Sequence, residues 1–187
     1  EGYSITDEID STNNNHIIRT IECDTLPTMM RFGRVWVEGE STTDNRTDSL
    51  LEILDMNTSE LTNCHSMFRF NTNLASINCE WNTSKVTDMY CIFTYCPNLT
   101  SLDVSNFNTS NVTDMSGMFF NCNNLTSLDV SNFNTSKVTD MSNMFSNCVS
   151  LQELHIESWL LNDTTQEAIL SLPVGDDAKN NIYAGAS

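Results

Sequence analysis

Residues 98–122 read NLTSLDVSNFNTSNVTDMSGMFFNC, and residues 124–148 read NLTSLDVSNFNTSKVTDMSNMFSNC. The chain therefore repeats itself with a period of 26 residues. A repeat in the range of roughly 20–50 residues confines a chain to few architectures. Each unit is too small to bury its own apolar side, and stability comes from stacking on its neighbours. Two more divergent copies precede the central pair, LEILDMNTSELTNCHSMF from Leu51 to Phe68 and LASINCEWNTSKVTDMYCIFTYC from Leu74 to Cys96. A further copy opens with LQELHI at Leu151 and then departs from the pattern.

The physics of one copy is legible. Leu99, Leu102 and Val104 are spaced as apolar, two others, apolar, one other, apolar. Leu51, Leu54 and Met56 match this spacing, as do Leu74, Ile77 and Cys79; Leu125, Leu128 and Val130; and Leu151, Leu154 and Ile156. Alternation at the end of each set predicts a short strand. A polar Asn-Thr-Ser turn follows at Asn57, Asn82, Asn108 and Asn134. Met115, Met118 and Phe119 then lie at i, i+3 and i+4, which predicts one face of a helix of one to two turns capped by Thr113 or Asp114. Stacking converts each apolar position into a ladder, with successive strands about 4.8 Å apart in a parallel sheet. The expected ladders are Leu99, Leu125 and Leu151; Trp81, Phe107 and Phe133; Phe93, Phe119 and Phe145; and Val86, Val112 and Val138.

These residues resemble the BspA-like leucine-rich repeat of bacterial surface proteins, over roughly Leu51 to Ile156. The resemblance implies an α/β repeat fold: a curved leucine-rich-repeat solenoid with a parallel β-sheet on one side and short helices or turns on the other. It also implies an extracellular or cell-surface location and a role in adhesion. Copies start near Leu51, Leu74, Leu99, Leu125 and Leu151, so the solenoid is expected over 49–156. Both open ends need covering. Residues 1–48 are read as an N-terminal arm and cap. Residues 1–15 form its arm or loop, Ile17–Cys23 and Arg34–Glu38 its strands, with Val35 and Val37 on one side and Trp36 on the other. Residues 157–187 are read as the C-terminal cap. Its helix starts at Asp163 or Thr164, buries Ala168, Ile169 and Leu172, and ends before Pro173, with a last strand over Asn181–Ala184.

The balance of 25 acidic against 8 basic residues, net −17, argues against nucleic acid and anionic lipid, whose phosphates demand a basic surface. It suits a partner with a basic patch. No stretch approaches the roughly 20 apolar residues of a membrane-spanning helix, so no membrane insertion is expected. The first residue, Glu1, reads as a mature or trimmed terminus. The seven cysteines are odd in number, so one at least is unpaired or pairs between chains. Cys96, Cys122 and Cys148 stack at equivalent positions and read as buried free thiols; Cys79 lies at a core strand position. The pairing of Cys23, Cys64 and Cys91 stays open.

The candidate binding face is the row of strand side chains that point away from the core: Asp55, Asn78, Glu80, Ser101, Asp103, Ser105, Ser127, Asp129, Ser131, Glu153, His155 and Glu157. Asn57 extends it. A solvated polar face accounts for the same pattern, and the row has no aromatic anchor. Stacked Asp103 and Asp129 offer hard oxygen ligands that suit calcium, but no calcium-loop spacing is present. Asp88, Asp114 and Asp140 read as caps. Cys64 precedes His65, yet chain neighbours diverge in direction, and no acid–base or nucleophile constellation stands out. Nine Asn-X-Ser/Thr triplets (Asn45, Asn57, Asn82, Asn98, Asn108, Asn111, Asn124, Asn134, Asn162) follow from repeating an Asn- and Thr-rich unit.

The expected function is thus a non-enzymatic extracellular binding module, adhesin-like, without cofactor or metal, recognising a protein or cell-surface ligand. The alternative is a structural or assembly protein, a filament subunit or virion surface component, joining subunits through the ends of the stack or the N-terminal arm. The third class, an enzyme, lacks any supporting constellation.

Overall fold

The computed structural model describes residues 3–10, 16–23, 52–53, 58, 60–72, 74–77, 81–160, 162–173 and 181–184. Its elements are β1 (Tyr3–Asp10), β2 (His16–Cys23), β3 (Glu52–Ile53), β4 (Ser76–Ile77), β5 (Ser127–Asp129), β6 (Glu153–Ile156), α1 (Asp163–Leu170) and β7 (Asn181–Ala184). Strands of successive copies pair in parallel one unit apart: Glu52 with Ser76 in β3–β4, and Ser127 with Glu153 in β5–β6. β7 extends the second sheet, Glu153 lying opposite Asn181. The stretch 99–104 forms no strand ladder. A 3.3 Å bond from Thr126 N–H to Thr100 O ties it to the next copy, while Leu99 and Val104 enter the core and Leu102 packs partly against it.

The other flank of each copy departs from the expected helix. Met115, Met118 and Phe119 are all fully buried, but on a run of linked turns. The reason lies in where the amide protons go. Met115, Gly117, Phe119 and Asn121 donate to the carbonyls of Asp140, Ser142, Met144 and Ser146 at 2.8–3.0 Å. The intervening amides of Met118, Phe120 and Cys122 reach back three residues within their own copy. The preceding unit repeats this: Met89, Cys91, Phe93 and Tyr95 donate to Asp114, Ser116, Met118 and Phe120. A helix spends its amides along its own axis and would leave none to bond the neighbouring copy. The cost is left-handed backbone at two places per unit: Ser66 and Phe70, Cys91 and Tyr95, Gly117 and Asn121, Asn143 and Asn147, with φ between 55° and 65°. Glycine and asparagine adopt that conformation most readily. At Gly117 space adds to the demand, since a Cβ there would lie 2.9 Å from Cys91 Sγ.

Asp88, Asp114 and Asp140, together with Asn63, open these runs and bridge one another in parallel. Their side-chain oxygens accept the amide two residues on, His65, Tyr90, Ser116 or Ser142, at 2.7–2.9 Å. They open turns where a helix cap was expected.

The two flanks enclose one apolar cluster. Phe68, Phe93, Phe119 and Phe145 stack with centroids 5.6, 5.7 and 5.9 Å apart, and Trp159 closes the column at 6.3 Å. Trp81, Phe107 and Phe133 form a second column at 5.0 and 6.2 Å. At the corner between flanks, Thr58, Thr83, Thr109 and Thr135 are buried. Each hydroxyl accepts an amide of the next unit, from Asn82, Asn108, Asn134 and Leu160 respectively. Cys96, Cys122 and Cys148 are buried free thiols that donate to the carbonyls of Phe68, Phe93 and Phe119 at 3.0–3.2 Å.

At the C-terminal end, the Trp159 indole donates to Val130 O at 2.9 Å. α1 begins at Asp163, within the expected start, and ends at Leu170, two residues short of Leu172; Asn162 caps it, in a reciprocal pair with Thr165. Ala168 and Leu172 are buried and Ile169 packs on the core. At the N-terminal end, residues 3–10, expected as a loop or arm, form β1. Tyr3 to Asp10 pair antiparallel with Cys23 to His16 of β2. The expected strand at Arg34–Glu38, with Val35, Trp36 and Val37, lies outside the described residues.

Candidate functional site

On the strand flank, Asp55, Asn57, Asn78 and Glu80 lie outside the described residues, as does Cys79. The remaining candidates point away from the core. Ser101, Asp103, Ser105, Ser127, Asp129, Glu153 and Glu157 are exposed, and Ser131 and His155 are half-buried. Parallel pairing brings Ser127 beside Glu153 and Asp129 beside His155. The two aspartates are held by the bends that follow them. Asp103 Oδ1 accepts the Ser105 amide at 2.9 Å. Asp129 Oδ1 accepts the Ser131 amide at 2.9 Å and its hydroxyl at 2.6 Å. In the third unit Nδ1 of His155 meets Glu157 Oε1 at 2.9 Å, and Nε2 meets Glu153 Oε1 at 3.1 Å.

The electrostatics follow from these bonds. Hydrogen bonds from Ser105 and Ser131 hold the Asp103 and Asp129 carboxyls below their ordinary range. The Glu157 carboxylate, then Glu153, raises the His155 imidazole above its usual value. The row is a preorganised, negatively charged array with one titratable cation. Asp103 and Asp129 serve as turn acceptors; among the described residues no group of three His, Cys, Asp or Glu side chains converges.

The turn flank holds what the sequence reading overlooked. Phe70 and Tyr95 are 37% and 39% exposed there. Their rings meet at 4.9 Å, and Tyr95 meets Phe120 edge-on at 5.5 Å. His65 and Tyr90 pair beside them at 4.7 Å. The recurrence of Phe70 and Tyr95 one unit apart, where later copies have Asn121 and Asn147, was the available signal.

The Cys64–His65 neighbours do not form a nucleophile and base. Cys64 is fully buried, and burial, then the charge of Asp88, pushes its thiol up to about 12. His65 turns instead to Asp88, 3.5 Å away, and to Tyr90. A thiol of that kind supplies almost no thiolate. Among the described residues no helix is long and apolar enough to cross a membrane.

A family model described as "Mycoplasma protein of unknown function, DUF285" matches residues 41–159, the span of the stacked copies. No curated protein and no solved structure matches the chain.

Proposed function

The chain belongs to the DUF285 family, and on that premise we propose that it is a non-enzymatic binding module of the cell surface, adhesin-like, built as a leucine-rich-repeat solenoid of the BspA-like kind. Its partner is a protein or cell-surface ligand carrying a basic patch, and it docks on the strand flank. The observation that carries this reading is the fixed outward array of Asp103, Asp129, Glu153, His155 and Glu157, each tied by a local hydrogen bond. An array already ordered loses little conformational freedom on binding. A negative field at rigid spacing steers a basic partner and makes association salt-sensitive.

The test is retention of the purified chain on immobilised matrix proteins and on whole cells. Asp103→Lys and Asp129→Lys should each weaken retention. Val149→Lys on the turn flank, a site 67% exposed, should leave it unchanged. Retention abolished by Val149→Lys and preserved in both Asp variants refutes the choice of face. Retention on none of these surfaces refutes the module itself.

A further inference from the structure

We propose that the aromatic stripe on the turn flank, Phe70, Tyr95 and Phe120 with Tyr90 beside it, is a second docking surface that takes an arginine-rich segment of a partner protein. Three independent features of the fold point there.

The first is strained backbone beneath a ring left partly in solvent. Phe70 and Tyr95 have φ of 65° and 60°, a region that bulky side chains rarely occupy. The equivalent places in later copies hold Asn121 and Asn147, which adopt it more readily. The first two copies thus hold a strained aromatic where asparagine fits the same backbone. The ring does not repay this by full burial, since more than a third of it faces solvent.

The second is continuity. The contacts of 4.9 and 5.5 Å join three rings from three successive units into one surface. Each ring is carried on backbone bonded between units, Phe70 to Thr94 and Tyr95 to Phe120. The stripe is therefore rigid.

The third is charge. The Arg69 guanidinium already lies over the Phe70 ring, 4.7 Å from its centroid. That internal contact is the geometry in which a ring of this stripe holds a guanidinium, the group that an arginine-rich partner would bring. Asp88 accepts the Tyr90 amide at 2.9 Å and lies 3.5 Å from His65, and the whole chain carries net −17. Two exposed and two half-buried rings on a strongly acidic chain favour guanidinium groups over neutral or acidic peptides.

This inference is independent of the strand-flank reading, and one experiment separates them. Fluorescein-labelled nona-arginine is titrated with the intact chain at physiological salt and followed by anisotropy. The double variant Phe70→Asn/Tyr95→Asn copies the residues of later units, so it should melt no lower than the parent. It should weaken binding about tenfold, the loss of two cation–ring contacts. Phe120→Ser, which copies Ser146 of the next unit, is the second variant and should weaken binding in the same direction. Binding by the double variant within twofold of the parent overturns the proposal. So does equal affinity of the parent for nona-proline, or loss of binding only in Asp103→Lys/Asp129→Lys; the last result would leave the strand-flank reading standing.

Discussion

Replacing Phe119 with alanine probes how the copies hold one another. The ring is fully buried, 5.7 Å from Phe93 and 5.9 Å from Phe145, with interplanar angles of 12° and 4°. Truncating a buried phenylalanine costs about 3–5 kcal/mol, and the value within that range depends on whether the site collapses. Here collapse is resisted from both sides. Phe93 N–H donates to Met118 O at 2.9 Å, and Phe119 N–H donates to Met144 O at 3.0 Å, so the backbones above and below the cavity are pinned. The expected loss is therefore in the upper half, about 4–5 kcal/mol. Total stabilities of domains run to about 5–15 kcal/mol, so Phe119→Ala should remove a large share. Urea unfolding followed by circular dichroism measures it. Because stacked units are coupled mainly to their neighbours, the transition should also broaden or split at the weakened interface. Tyr95→Ala, on the exposed stripe, is the control and should cost about 1 kcal/mol or less. A loss below about 1 kcal/mol for Phe119→Ala, or equal losses for both variants, would refute the pinned-ladder argument.

Thr109→Val should cost about 1–3 kcal/mol by leaving the buried-side amide of Asn134 without its 2.7 Å acceptor, while Thr109→Ser should restore most of it; equal melts for Val and Ser would refute the threonine ladder. Cys96 and Cys148, with thiols pushed up to about 12 by burial, and Cys122, raised well above its ordinary value by the same cause, should react with a thiol reagent at pH 8 only after denaturant is added. Reaction of any of the three at the rate of a free peptide thiol would contradict their placement. The His155 imidazole is raised in the fold, so its contribution to stability is present below the ordinary value of 6.5 and fades as pH rises through the higher folded value. Its NMR titration midpoint should therefore lie above 6.5 and fall in Glu157→Gln; an unmoved midpoint would remove Glu157 as the cause.

The residues that enter the core were legible because a period translates directly into a column. Phe93, Phe119 and Phe145 had to superpose once units stacked, and the same arithmetic placed the Cys and Leu positions. The outward strand side chains were legible too, since period-two alternation separates faces. The aromatic stripe was not. On a helix, the residue after Phe119 is simply turned from the core, and nothing in the spacing brings Phe70, Tyr95 and Phe120 together.

The sequence by itself therefore determined the stacking period, the inward ladders and the negative charge of the outward strand row, because these depend only on side-chain identity repeated at fixed intervals. The tertiary structure alone decided the backbone of the turn flank. Spacing of i, i+3 and i+4 buries Met115, Met118 and Phe119 on a helix or on linked turns alike. What chooses between them is the destination of alternate amides, and the acceptors are carbonyls 24 or 25 residues away in the next unit. A neighbour that supplies those carbonyls makes left-handed turns the bonded state, and it is those turns that carry Phe70 and Tyr95 to the surface.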